Sequence, residues 1–248
     1  MTSVSFYQVS YRYPRSSRVA LSDISFGLSP GVTGLIGVNG AGKSTLMELI
    51  ATMRAPSSGR IEWDPAGSSI RTIQERVSLV PQSATLPRGF SVYDFLRYSC
   101  FLKAVPRSCR ESRIADSIDK VHLTDMLKEK CGSLSGGQAR RVVIAWGLLS
   151  QPEVLLLDEP TAGLDVYQRR SVRELVKSGL APVTLISSHL LGDLLGVAQN
   201  MLVLNNGKLH YQGSMAEAVE LIEATGAPKD SEEQFIALLE GSEEGRSL

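Results

Sequence analysis

Three short stretches carry residues whose types and spacing suit phosphate chemistry. The first, Gly37-Val38-Asn39-Gly40-Ala41-Gly42-Lys43-Ser44-Thr45, has the pattern G-x-x-x-x-G-K-[ST]. Its glycines let successive backbone N–H groups point inward at an anion. Lys43 is placed to reach the β- and γ-phosphates of a nucleotide, and Ser44 offers a hydroxyl to Mg²⁺. The second stretch, Leu134-Ser135-Gly136-Gly137-Gln138, sets two glycines behind a serine just before an apolar helical run. That makes it a helix N-terminus whose N–H groups can approach an anion. The third is Val154-Leu155-Leu156-Leu157-Asp158-Glu159-Pro160, four apolar residues ending in two carboxylates. Adjacent carboxylates on their own are usually a solvated turn. Here Leu155 to Leu157 predict a buried parallel strand that delivers the pair to the carboxyl edge of a sheet, where it suits a metal and a water.

These residues need elements to position them, and the surrounding sequence supplies alternating strand and helix signals. Residues 3–12 and 19–27 read as strands around the turn Pro14-Arg15-Ser16-Ser17, an antiparallel edge. Tyr13 ends the first of them; its ring can stack on a purine or simply pack on the sheet, and Tyr11 competes for the stacking role. Val32 to Ile36 is a strand running into the glycine loop, and Leu46 to Met53 is the helix after it. Pro56-Ser57-Ser58-Gly59 ends that helix, Arg60 to Trp63 returns as a strand, and Val77 to Val80 is another, left by Pro81-Gln82.

From Ser91 to about Leu149 helical patterns replace strands. Ser91 is expected to cap Val92 to Leu102, and Ser108 a run to Val121. After Asp165 a helix covers about Val166 to Lys177, and Pro182 to Ser188 is a buried strand ending at His189. Met201 to Leu204 and Lys208 to Gln212 flank Asn205-Asn206-Gly207 as a hairpin. Helices are expected over Met215 to Ala224 and Glu232 to Leu239, with a frayed end from Glu243 to Leu248.

Composition narrows the function. At 248 residues and 43% hydrophobic, the chain suits one large α/β domain. Lys plus Arg and Asp plus Glu are both 26, so no charge excess favours a nucleic-acid partner, and none is expected. Three cysteines, Cys100, Cys109 and Cys131, lack CxxC spacing, which disfavours a disulfide framework or a zinc site and fits a reducing cytoplasm. No apolar run approaches the roughly 18 to 20 residues of a membrane helix, and Met1 to Arg15 reads as a strand without the apolar region of a secretion signal.

Taken together, the second and third stretches, with Ala162-Gly163-Leu164-Asp165, resemble the signature loop, Walker B strand and D-loop of ATP-binding cassette (ABC) ATPases. The resemblance runs from Tyr13 to about Gly213, with six motifs in the family's order: Tyr13, the phosphate loop, Gln82, the signature, Asp158-Glu159 with its D-loop, and His189. It implies an α/β P-loop NTPase core, a mainly parallel sheet flanked by helices, with an N-terminal antiparallel β edge and an α-helical subdomain inserted at about 91–149. The ATPase domain would cover 1–228, and a C-terminal helix and tail 229–248. One departure is Ala145-Trp146-Gly147, where the family usually carries an arginine after the alanine; it bears on local helix packing.

The resemblance also implies roles. ATP would lie on the loop from Gly37 to Thr45 with Tyr13 against its base, and Mg²⁺ would be held by Ser44, Gln82 and Asp158. Glu159 would act as general base, Lys43 would neutralise phosphate charge, and Gln82 and His189 would sense the γ-phosphate. Ser135, Gly136, Gly137 and Gln138 would contact the ATP of a second subunit in a head-to-tail dimer. The implied protein is the ATPase subunit of a transporter whose permease is a separate multispanning chain, placing it peripherally on the cytoplasmic face of the membrane. Phe90 to Pro106 and Asp230 to Gly241 resemble export-type ATPases. The alternative is a soluble ABC ATPase of DNA repair or translation; the single cassette, the missing long heptad run and the neutral charge oppose it. A binding module without turnover is a third possibility, although every catalytic residue type is present.

Overall fold

The apolar positions Val4, Phe6 and Val9 break strict alternation, and the first strand accommodates this with a bulge. In β1 (Val4–Arg12) Gln8 adopts φ 50° and the pairing register shifts between Phe6 and Val9. The extra residue lets Val4, Phe6, Val9 and Tyr11 all be buried. The computed structural model describes residues 3–14 and 17–225. Along the chain follow β2 (Val19–Leu28), β3 (Gly31–Ile36), α1 (Lys43–Ile50), β4 (Ser58–Trp63), α2 (Ile70–Arg76) and β5 (Val77–Val80). Next come α3 (Val92–Leu102), α4 (Arg110–Lys120), α5 (Gly136–Leu148), β6 (Val154–Leu157), α6 (Val166–Lys177) and β7 (Val183–Ser188). The hairpin β8 (Asn200–Asn205) and β9 (Lys208–Ser214) leads into α7 (Met215–Thr225). The expected helix at Glu232 to Leu239 and the tail lie outside the described residues.

The strands form two sheets. One has the order β2-β1-β4 and is antiparallel, so the expected N-terminal edge is a small sheet of its own, completed by β4. The other has the order β5-β6-β7-β3-β8-β9, parallel except for β9. Alternate residues of its strands feed two cores. Ile36, Val80, Leu155, Leu157 and Ile186 face the core built with α3 to α6, while Leu35, Leu156, Leu185 and Leu202 face α1 and the small sheet. Burial on both faces explains why Val154–Leu157 reads as an unbroken apolar run. Because β5, β6, β7 and β3 are adjacent and parallel, their carboxyl ends share one edge, where Gln82, Asp158-Glu159, His189 and the glycine loop follow them.

Capping follows the sequence with one correction. Ser91 accepts the Asp94 N–H and starts α3 as expected, and Asp165 accepts the Gln168 N–H at the start of α6. Ser108 does not cap α4. A 3₁₀ turn over Arg107–Cys109 follows Pro106, and the N-cap position is Cys109, which makes no side-chain cap bond. Helix α2 escaped the sequence reading because only Ile73 of its residues is buried, which leaves no apolar stripe to detect.

The departure at Trp146 has a structural counterpart. The Lys103 ammonium lies 4.3 Å from the Trp146 ring centroid, with Nζ 3.3 Å from Ser78 Oγ. Burial pushes Lys103 from its ordinary value down to about 8. Between about 8 and 10.5 the unfolded chain therefore keeps a proton that the folded chain has released, so this group's contribution to stability rises with pH across that window. Replacing Lys103 with Met removes the titration. The melting-temperature difference, variant minus wild type, is expected to fall by a few degrees as pH rises through that window; a pH-independent difference in thermal melts would remove this account.

Candidate functional site

The glycine loop turns between β3 and α1 because a side chain has no room there. A Cβ on Gly37 would lie 2.4 Å from the Leu204 carbonyl oxygen, and Gly42 adopts φ 110° with the Ala20 carbonyl 2.9 Å from where its Cβ would be. The loop borders a cavity of about 340 Å³ lined by Tyr13, Arg18, Ala20, Asn39, Gly40, Gly42, Lys43, Ser44, Thr45, Gln82 and Glu159. Of the remaining loop residues, Ala41 is buried and Val38 is exposed.

Buried charges meet at the sheet edge. Lys43 Nζ donates to the Gly37 carbonyl at 2.7 Å and lies 3.0 Å from Glu159 Oε1, both side chains being under a tenth exposed. The other Glu159 oxygen faces Gln82 Nε2 at 3.3 Å and His189 Nδ1 at 3.1 Å. Glu159 itself has φ 43°, a left-handed conformation that a non-glycine residue keeps only when its surroundings over-determine it. Asp158 accepts from Ser44 Oγ at 2.7 Å and from Ser187 Oγ at 2.7 Å. The fold thus brings Lys43, Ser44, Gln82, Asp158, Glu159 and His189 together from four separated segments.

Tyr13 reaches the same cavity from the small sheet. Its hydroxyl bonds to Thr45 Oγ1 at 2.8 Å, and the Arg54 guanidinium sits 4.6 Å from its ring centroid, itself paired to Glu48. Tyr11 is buried in the core behind it, does not line the cavity and is set aside as the stacking residue. The loop Ser135 to Gln138 does not line the cavity either. There Ser135 caps α5 in a reciprocal capping box with Gln138, and Gly137 leaves room for the Gln168 side chain, whose Cγ would lie 2.8 Å from a Cβ.

Two supporting residues were missed by the sequence reading. Ser187 accepts the Glu159 N–H at 2.8 Å while donating to Asp158, so a single buried hydroxyl orients both carboxylate residues. Arg140 is buried and donates to the carbonyls of Pro81, Gln82 and Glu159. The available signals were a hydroxyl inside an apolar strand next to His189, and an arginine on the buried stripe of α5 with Gly137, Ile144 and Gly147. A further buried group, Thr161 and Ser188 on the Asp193 carboxylate, pins the turn that carries His189.

A family model described as ABC transporter matches residues 21–162, which include the glycine loop, Ser135 to Gln138 and the carboxylate pair. The chain belongs to the ABC transporter family. It is 34% identical over 206 residues to the sulfate/thiosulfate import ATP-binding protein of Agrobacterium fabrum, covering 79% of this chain and 59% of that one. It is 30% identical over 226 residues to the Nod factor export ATP-binding protein I of Rhizobium etli, covering 89% and 71%. Against another curated relative it spans only 24% of the length. Among solved structures it resembles cbiO1 from Clostridium perfringens, part of the ABC transporter complex cbiONQ, with a TM-score of 0.79, 27% identity, and coverage of 90% of this chain and 94% of that one. The matched α/β fold is the P-loop NTPase architecture of ABC ATPases. No described helix is long and apolar enough to cross a membrane.

Within this ABC site, Ser187 is expected to matter beyond packing. Ser187→Ala leaves the Glu159 N–H and an Asp158 oxygen without their partner, and should cost about 1 to 3 kcal/mol in urea denaturation. Unchanged stability would show that the carboxylates are held by other contacts.

Proposed function

We propose that this chain is the ATP-binding and ATP-hydrolysing subunit of an ABC transporter and powers a separate membrane-spanning subunit from the cytoplasmic face. The observation that carries this reading is the convergence of Lys43, Gln82, Glu159 and His189 beside the glycine loop, with Glu159 at the centre of their contacts. The loop amides and Lys43 bind the phosphates of ATP, and the presence of Tyr13 in the lining of the same cavity supports its reading as the residue that meets the base. Oxygen donors from Ser44 and Asp158, already 2.7 Å apart, with Gln82 nearby, suit a hard cation that keeps several waters and phosphate ligands, as Mg²⁺ does. When bound, Mg²⁺ neutralises phosphate charge. Glu159 takes the proton of the attacking water, while Gln82 and His189 register the γ-phosphate. A phosphate arriving at Lys43 competes with Glu159 for the ammonium, which frees the carboxylate for that proton.

Ser135, Gly136, Gly137 and Gln138 lie outside this subunit's own cavity and are exposed at Ser135 and Gly136, which supports their service to the ATP of a second subunit in a head-to-tail pair. The permease fits a groove of about 480 Å³ lined by Phe90, Asp94, Arg97, Tyr98, Phe101 and Arg110, where Tyr98 and Phe101 are more than half exposed. We favour export as the direction, because Phe90 to Pro106 and Asp230 to Gly241 resemble the corresponding segments of export-type ATPases. We also read residues 1–228 as one ATPase domain with a helical insertion at about 91–149.

Glu159→Gln should keep ATP binding, lose about 100-fold or more of turnover and accumulate an ATP-bound dimer on gel filtration. A monomer with full turnover would overturn the general-base role. Lys43→Ala should weaken ATP binding severely in a direct titration, and near-normal affinity would remove the phosphate-loop assignment.

A further inference from the structure

Arg140 lies on the first turns of the helix that Ser135 caps, and its side chain reaches the backbone at Gln82 and Glu159. Its guanidinium is buried. Nη1 donates to the Pro81 carbonyl at 2.9 Å, and Nη2 donates to the carbonyls of Gln82 at 2.8 Å and Glu159 at 2.9 Å. Among the described residues, these hydrogen bonds all go to backbone carbonyls. The Glu159 carboxylate is engaged by Lys43, Gln82 and His189 instead. We propose that Arg140 is a positioning residue for ATP hydrolysis, fastening the backbone of Gln82 and Glu159 to each other and to the helix that begins at Ser135. This rests on the roles given above to Gln82 and Glu159.

The physical case has three parts. A planar guanidinium presents its donors in a fixed fork, so carbonyls that share it are held at fixed separation. The Glu159 backbone sits at φ 43° and needs outside contacts to stay there; Arg140 grips its carbonyl while Ser187 grips its N–H. The guanidinium is buried with its donors on three carbonyls, so displacing it would leave buried polar groups unpaired. A shift of α5 at its Ser135 end is thereby passed to the two residues that act on this subunit's own nucleotide.

Arg141 supplies the control. It follows Arg140 on the same helix and also reaches backbone carbonyls, those of Val121 and His122 at 3.4 Å, away from the site. In the intact protein, Arg140→Met is expected to lower kcat about 10- to 100-fold with KM and the affinity for MgATP within about threefold of wild type, as for misplaced catalytic groups. Arg140→Lys, which keeps a donor, should recover part of that loss, and Arg141→Met should stay near wild type. Should Arg140→Met fail to fold, Arg140→Lys decides: a lowered kcat at unchanged affinity supports the role, and an unchanged kcat overturns it. The inference is also overturned if Arg140→Met keeps kcat, or if kcat and affinity fall together in both arginine variants, which is the mark of a scaffold. Glu159→Gln measured alongside separates the layers. Full turnover there sinks the assignment beneath, whereas its loss beside an active Arg140→Met sinks this inference alone.

Discussion

Everything at the sheet edge depends on burying two adjacent carboxylates. An unpaired buried carboxylate costs several kcal/mol, so Asp158 and Glu159 can sit at the end of an apolar strand only if other segments arrive to meet them. Lys43 and Ser44 come from the start of α1, Ser187 from β7 and His189 from the turn beyond it. The contacts that make the carboxylates tolerable in the fold are thus the ones that hold Lys43, Ser44 and His189 beside them.

The parallel sheet makes that meeting possible. Strands β5, β6, β7 and β3 stand side by side and point the same way, so four chain segments separated by up to about a hundred and fifty positions end at one edge. Helix α5 adds a second connection. Its exposed N-terminus carries Ser135 and Gly136, and its buried face carries Arg140 to the backbone of Gln82 and Glu159. The exposed Ser135 end of the helix and the buried interior of the site are therefore parts of one helix, joined without a flexible loop between them.

Much of this was legible in the chain. The loop Gly37 to Thr45 declares itself because only glycine tolerates its backbone, and Val154 to Leu157 because a strand buried on both faces has no polar positions. The hairpin turn at Asn206 and Gly207, with φ 46° and 74°, was readable for the same reason of backbone conformation. Helix α2 was hidden by its lack of an apolar face, and the Ser108 cap was displaced by the turn that Pro106 starts. Ser187 and Arg140 were passed over because their partners are backbone groups and a carboxylate far away in sequence, and no local pattern marks such a bond.

What the sequence by itself determined is the chemistry available: a phosphate loop, a carboxylate pair on an apolar strand, a glutamine and a histidine at strand ends, and a capped glycine pair. These are local properties, written in backbone freedom and hydrophobic period. Only the tertiary structure decided which of them share a cavity. It joined Tyr13, Lys43, Gln82 and Glu159 around one space, left Ser135 to Gln138 outside it, and buried Tyr11 where Tyr13 stayed accessible. The order of strands in a sheet and the reach of a buried arginine follow from how the whole core packs, which no short window of residues contains.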